Sequence, residues 1–357
     1  MSMGYPRKWK TDKFKRECPA PLKFGADGKF RILHLTDIHD VEPIMDDDEN
    51  RDIPNNKDKE TINVIETLVE KTKPDLVVFG GDNVSGYWEE FTYDYVKSTI
   101  DRITAPIRER NIPLCVCFGN HDGEEGFHTD FQMLMYMEYP NCRSNLNDAD
   151  VYGCGNCCVT IKDSKGEKDA FAIWLMDSND YERNSKGDFS YDHVHEDQIE
   201  WYENRAAELK KENDGEPLPA ILFQHIPVQQ ELNGYKEVTA NDEYTFERDG
   251  RYFYLANKIL EGRVRETPCP PNMEKDYTNQ LLSWKKTGDI FAAFFGHDHI
   301  NDFKMNVDGI DLYQTLGAGY FTYGLERGGR LIVLDENKPR SLYTESLSVE
   351  RITDTEF

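Results

Sequence analysis

Long hydrophobic runs are missing from this 357-residue chain. None approaches the roughly 20 consecutive apolar residues of a membrane-spanning helix, so no membrane span is expected. The first residues, Met1 to Glu17, are polar and basic and lack the apolar core of a signal peptide. As the sequence stands, this predicts a cytoplasmic protein, a removed leader excepted. Positive charge is scarce too: 42 Lys and Arg face 67 Asp and Glu, for a net charge of −25. Such a surface repels nucleic acid and anionic membranes at long range, and no nucleic-acid partner is expected. It would also repel a phosphate-bearing ligand unless bound cations reversed the field locally.

Other devices are absent as well. Cys154, Cys157 and Cys158 form a CxxCC cluster, but no second pair stands at zinc-site spacing. An even total of eight cysteines does not establish disulfides in a chain this long. Cys115 and Cys117 alternate within an apolar run, which predicts buried thiols on one face of a strand. The acidic run Asp46 to Asn50 fails as a calcium loop, since Arg51 stands where the turn glycine belongs and Lys57 where the bidentate acid belongs. It reads as a solvated loop. There is no phosphate-binding P-loop, no nucleophile elbow and no internal repeat.

Hydrophobic residues make up 38% of the chain and aromatics 12%, enough for a sizeable core. From Phe30 onward, strand and helix signals alternate. Phe30 to Leu35, Asp75 to Phe79 and Pro113 to Phe118 read as buried strands. Helices fall at Lys57 to Lys71, with Ile62, Ile65, Leu68 and Val69 as its stripe, and within Phe91 to Arg110. This βαβαβ order predicts a parallel sheet. Phe127 to Glu138 is a further helix. Val151 to Ile161 and Ala170 to Met176 read as adjacent strands joined at Lys165-Gly166. Glu196 to Lys211 is a helix, and Leu218 to Phe223 and Asp289 to Phe295 are strands. Several β-rich runs follow from Asn301 onward, including Gly309 to Leu316, Arg330 to Leu334 and Ser341 to Ser346. Residues 231–279 are polar and weakly periodic, as expected of an insertion or small cap. Residues 1–29 are an N-terminal extension and 30–350 one layered α/β domain.

Five clusters of metal-binding residue types each follow a strand-like run. They are Asp37-Ile38-His39, Gly81-Asp82-Asn83, Gly119-Asn120-His121-Asp122, His225, and Gly296-His297-Asp298-His299. A parallel sheet gathers the C-terminal ends of its strands along one edge, so these distant residues can meet. Asp37 and His39 can turn toward one ion. Asp82 follows two glycines and can bridge two ions. Asn120 offers an amide oxygen, while His225, His297 and His299 offer imidazoles. A hydrolase of this kind holds two divalent ions about 3.5–4 Å apart with oxygen and nitrogen ligands.

These motifs resemble those of the calcineurin-like metallophosphoesterases, over about Arg31 to Ile300. Gly296 to Phe303 and Phe223 to Pro227 are similar to a purple acid phosphatase-like branch. The resemblance implies an α/β fold, a four-layer αββα sandwich of two mixed β-sheets flanked by helices. It puts Asp37, His39, Asp82 and His299 on a first metal, and Asp82, Asn120, His225 and His297 on a second. It makes His121 the general acid or phosphate contact, with Asp122 orienting it. The branch's tyrosine ligand is absent: Ser85 occupies its place, Tyr87 comes two residues late, and His39 fills the role. No tyrosinate-to-metal colour is expected.

The implied function is hydrolysis of a phosphate monoester, on a small molecule or a phosphoprotein, by a metal-activated hydroxide. The metals would be two divalent or mixed-valence ions of Mn, Fe, Zn or Ni. The alternatives are a phosphodiesterase for cyclic nucleotides or phospholipid head groups, and a non-enzymatic metal-dependent scaffold. His193, His195 and Tyr320 are candidate substrate contacts. His34 reads as a core or ligand-supporting histidine, and the Gly317-Ala318-Gly319 turn as cleft lining or core packing.

Overall fold

The computed structural model describes residues 19–41, 57–84, 92–124, 127–183, 187, 189–238, 245–248, 251–255, 261–269, 271 and 279–349. The Asp46 to Asn50 loop, Ser85 and Tyr87 lie outside them, as do the first 18 residues and much of 231–279. In chain order, the first half comprises β1 (Leu22–Lys23), β2 (Lys29–Leu35), α1 (Lys57–Thr72), β3 (Leu76–Gly80), α2 (Tyr93–Arg108), β4 (Leu114–Cys117), α3 (Thr129–Met137), β5 (Cys157–Lys162), β6 (Asp169–Leu175), β7 (Tyr181–Arg183) and β8 (Phe189–Tyr191). The second comprises α4 (Glu196–Glu212), β9 (Ala220–Phe223), β10 (Tyr235–Val238), β11 (Thr245–Arg248), β12 (Arg251–Leu255), β13 (Glu261–Arg263), α5 (Asn279–Thr287), β14 (Ile290–Phe295), β15 (Asp302–Val307), β16 (Ile310–Gln314), β17 (Arg327–Asp335) and β18 (Leu342–Val349).

Two mixed sheets form the body. The smaller runs β18-β17-β2-β3-β4, with β2, β3 and β4 parallel and β17 antiparallel to β2. The larger runs β1-β5-β6-β9-β14-β16-β15-β13, with parallel pairing from β6 through β9 and β14 to β16. The β5–β6 hairpin turns near Gly166, whose φ is 79°.

Strand alternation decides which layer each side chain enters. In β2, Phe30 and Ile32 face the other sheet, while Leu33 and Leu35 face the helices. In β9, Ile221 and Phe223 point between the sheets, and Ala220 and Leu222 point outward. Helices α1, α2 and α3 cover the smaller sheet, and α4 and α5 cover the larger. The result is the αββα sandwich. Each fully buried Leu, Ile or Phe in these layers contributes about 1.5–3 kcal/mol of transfer free energy.

Details differ from the sequence reading for local reasons. The buried stripe of α1 is Thr61, Val64, Ile65, Leu68, Val69 and Thr72, while Ile62 is only half-buried. Polar Thr61 is tolerated because its hydroxyl accepts a hydrogen bond from Tyr320 N at 3.1 Å. Helix α2 starts at Thr92, whose side chain accepts from Tyr95 N. The cysteines of the CxxCC cluster diverge: Cys154 packs on the helix side of the small sheet, Cys157 between the sheets, and Cys158 against the outer face of the large sheet. They form no common site. Cys115 and Cys117 are buried together between the sheets, as their alternation predicts.

Candidate metal centre

The five clusters sit at the ends of β2, β3, β4, β9 and β14. They belong to two sheets rather than to the edge of one. Two back-to-back sheets open their strand ends on a common rim, and the clusters meet across it.

Each turn is sharp. Asp37, His39, Asp82 and His297 have φ of 50°, 46°, 51° and 74°. Non-glycine residues adopt this region at a cost of about 1–3 kcal/mol, and such strain collects at functional sites. Backbone bonds from neighbouring loops hold the turns. Asp37 N donates to Gly81 O at 3.0 Å, His39 N to Asp82 O at 2.8 Å, and Gly319 N to Asp37 O at 3.0 Å. Gly81 has φ 101°, and a Cβ there would lie 2.6 Å from His225 Nδ1. A Cβ on Gly319 would collide with the Ile38 carbonyl. The Gly317–Gly319 turn thus clamps the backbone of the first cluster.

The side chains form two groups that share one carboxylate. Ligand atoms of Asp37, His39, Asp82 and His299 lie within 4.8 Å of one another, and so do those of Asp82, His225 and His297. Asp82 Oδ2 is 3.0 Å from His225 Nε2 and 3.5 Å from His39 Nε2. Asp37 Oδ1 is 3.5 Å from His299 Nε2 and 3.8 Å from His225 Nε2. Asn120, next to His121, donates from Nδ2 to Tyr181 OH at 2.8 Å and keeps its buried Oδ1 without a partner.

A cation fits this set. His39 Nε2, Asn120 Oδ1 and His297 Nε2 are buried without hydrogen-bond partners, while Asp82 Oδ2 and His225 Nε2 have each other at 3.0 Å. Buried polar atoms are otherwise satisfied, because leaving one bare costs about 1–3 kcal/mol. Gathered at one rim, these atoms fit a place where a cation would complete the structure. The far sides of two of the rings, His225 and His299, are held by other groups. His225 Nδ1 donates to Gly80 O at 3.0 Å, which turns its Nε2 toward Asp82 and the shared space. His299 Nδ1 is 2.8 Å from Thr322 Oγ1. The rings of Tyr191 and His297 lie perpendicular with centroids 4.2 Å apart.

Protons respond to the same field. Burial pushes Asp37 up and holds His39 and His297 well below the usual imidazole range. Burial would lower His225, but Asp82 and Asp37 raise it to about 9. Burial would raise Asp82, yet His225 and His121 hold it well below the usual carboxylate range.

His121 lies at the mouth, its ring 5.1 Å from that of His39 and its backbone N donating to Asp82 Oδ1 at 2.8 Å. The carboxylate on its Nδ1 is Glu124, at 2.8 Å. Burial opposes protonation there, but Asp82 and Glu124 push His121 up to about 9. Asp122 is spent elsewhere: Oδ1 accepts from Asn83 N and Val84 N, and Oδ2 from Gly119 N, at 2.8–3.0 Å. It ties the second cluster to the third. Glu124 and Tyr181 escaped the sequence reading. Tyr181 OH donates to Glu124 Oε1 at 2.8 Å while accepting from Asn120. The only sequence signal was an i,i+3 acid after His121 and an aromatic alternation around Gly187.

The other candidates occupy different ground. His195 Nε2 is 3.1 Å from both Asp192 oxygens, His193 Nδ1 is 2.9 Å from Oδ1, and Tyr152 stacks on His195 at 4.0 Å. His195 is also the N-cap of α4. Tyr320 carries the Arg327 guanidinium 5.0 Å from its ring centroid. Tyr323, three residues on, is the tyrosine that stacks on His299, at 4.1 Å. His34 is buried between the sheets, with Nδ1 3.0 Å from Thr315 Oγ1, and it does not reach the ligand groups. Residues 265–269 border the centre: Arg265 N and Glu266 N donate to Asn301 Oδ1, and Ile300 N donates to Glu266 Oε1.

Two stacked mixed sheets with Asp, Asn and His gathered about one shared carboxylate at their rim define a metallophosphoesterase. The chain belongs to the calcineurin-like phosphoesterase family, whose model matches residues 30–301. It is 30% identical to probable inactive purple acid phosphatase 14 of Arabidopsis thaliana over 352 residues, covering 93% of this chain and 81% of that one. It is 28% identical to probable inactive purple acid phosphatase 29 of the same plant, over 89% of this chain and 80% of that one. A dimetal phosphatase from Danio rerio shares the fold, with a TM-score of 0.51 at 12% identity over 88% of this chain and 98% of that one. No helix among the described residues is long and apolar enough to cross a membrane.

Proposed function

We propose that the protein is a binuclear metal-dependent phosphomonoesterase. The observation that carries this reading is the pair of candidate ligand groups sharing Asp82, with His121 beside them. Asp37, His39, Asp82 and His299 would hold one cation, and Asp82, Asn120, His225 and His297 the other. Cations held there supply positive charge against the phosphate's own and make a water acidic enough to attack near neutral pH. Mixed nitrogen and oxygen ligands without thiolate suit Mn, Fe, Zn or Ni.

The chain's own residues do the rest. Glu124 holds the His121 ring through Nδ1, and His121 passes its proton to the leaving oxygen as the ester bond breaks. Tyr181 ties Glu124 to Asn120, so the proton donor and a metal ligand keep one geometry. Asp122 braces the loops that carry Asp82 and Asn120. Tyr323 on His299 and the 265–269 segment form the opposite rim, where residues 231–279 would act as a cap on substrate choice. With Ser85 in the place of the branch's tyrosine and His39 filling that ligand role, no tyrosinate charge-transfer colour is expected, and an iron-loaded sample absorbing in the visible as purple enzymes do would contradict this assignment.

The names of the plant relatives favour a second reading, a metal-holding scaffold without turnover. The fitted proton donor supports the enzyme, because a scaffold has no use for it. The deciding assay compares p-nitrophenyl phosphate with bis-p-nitrophenyl phosphate in the presence of Mn²⁺, Zn²⁺ or Fe²⁺. Metal-dependent turnover favouring the monoester is expected. Preference for the diester would replace the phosphomonoesterase by a phosphodiesterase, and no turnover of either would favour the scaffold.

A further inference from the structure

We propose that the β7–β8 ribbon reads the alcohol side of the ester and selects a flat aromatic ring there. The inference rests on the phosphoesterase reading above and names its substrate class. The ribbon pairs Tyr181 with Tyr191 and Arg183 with Phe189. Side chains two apart on a strand share a face, so these four form one strip. Their contacts agree. Tyr181 stacks on Tyr191 at 5.8 Å and meets Phe189 edge-on at 6.2 Å, and the Arg183 guanidinium sits 4.3 Å from the Phe189 ring centroid.

The strip has an inner and an outer end. Inside, Tyr191 abuts His297 and Tyr181 bonds Asn120 and Glu124, so this end is anchored to the candidate ligands and to the proton donor's partner. Outside, Phe189 is 71% exposed, although burying such a ring would be favourable. Two residues of strand carry the outer pair about 7 Å beyond the inner pair. A phosphate at the metal groups would project its alcohol past the tyrosines toward Phe189 and Arg183. An aromatic alcohol can stack on that flat guanidinium–phenyl pair. A short alkyl alcohol has no ring with which to cover it.

The test uses 1-naphthyl phosphate and glycerol 3-phosphate with the manganese-loaded full chain and its Phe189→Ala, Arg183→Ala and Phe189→Trp variants. Wild type should prefer the naphthyl ester. Phe189→Ala and Arg183→Ala should each reduce that preference about threefold to tenfold through KM rather than kcat, the size expected for one stacking contact. Phe189→Trp should retain the preference. An unchanged preference, or an equal loss on both esters, overturns the inference. If wild type hydrolyses neither ester, the phosphomonoesterase reading fails, and calorimetric titration of 1-naphthyl phosphate then decides. Weaker binding to Phe189→Ala than to wild type upholds the strip as a ring-binding surface, while equal binding or none overturns it.

Discussion

Asp82→Asn removes one charge and leaves nearly everything else in place. Asparagine has the same shape and tolerates the φ of 51° at this position. Its Oδ1 can still accept from His121 N, now at 2.8 Å. What disappears is the negative charge that both ligand groups share. Losing it weakens both positions together, so metal content should fall from two ions per chain to one or fewer. Turnover should fall by about 10³-fold, which is about 4 kcal/mol of transition-state stabilisation. Stability carries a separate signature. Free metal at a hundredfold its dissociation constant stabilises the wild type by about 2.7 kcal/mol, since only the folded chain assembles the site. For a domain of this size that raises Tm by about 3–8 °C. The variant should lose most of this rise and should also melt below the wild type without metal, because the charge it lacks is paired there with His225, 3.0 Å away. Metal analysis, thermal melts with and without Mn²⁺ and p-nitrophenyl phosphate turnover test the three effects. A variant that keeps two ions and full turnover would refute the shared-carboxylate scheme.

Other substitutions probe other links. Glu124→Gln should cost about 10²-fold on alkyl phosphates and much less on p-nitrophenyl phosphate, whose leaving group needs little protonation. Equal losses on both would show that Glu124 only supports the loop. Asp122→Ala strips the acceptor from three backbone N–H groups and should destabilise the metal-free protein by about 3–5 kcal/mol in urea titration. A change below about 1 kcal/mol would deny it the bracing role. His34 supplies a pH test. Burial holds it down to about 3, so below pH 6.5 the unfolded chain takes a proton that the folded chain refuses. Its contribution is therefore full above pH 6.5 and declines as pH falls toward 3. Relative to His34→Phe, the wild type should lose about 2 kcal/mol between pH 7 and pH 5. Parallel pH profiles for the two would show that His34 is not buried as a neutral ring.

Much of the architecture was legible locally. The β2-α1-β3-α2-β4 order announced itself because apolar runs of strand length alternate with stretches of helical period, and each period reflects which face is buried. The candidate ligand types were legible too, since Asp, Asn and His directly after apolar runs are poor choices for continuing a strand. The β7–β8 ribbon and α5 were not. The ribbon's two strands are three residues each, too short for a period, and its aromatics are placed by contact with Asn120 and His297 rather than by a core of their own. Helix α5 buries only Leu281 and Trp284 among its large apolar residues.

The sequence by itself determined the kinds of atom available and the strands that present them. Residue type and strand period are local, and they survive without knowledge of what lies opposite. Only the tertiary structure decided which carboxylate serves which partner. Asp122 follows His121 directly but faces backbone N–H groups of another loop, while Glu124, one helical turn on, reaches the imidazole. Tyr181, 61 residues from Asn120, sets that amide's orientation. A turn with positive φ sends consecutive side chains in directions that sequence order does not encode, and the two sheets that close the rim meet through packing between residues far apart in the chain.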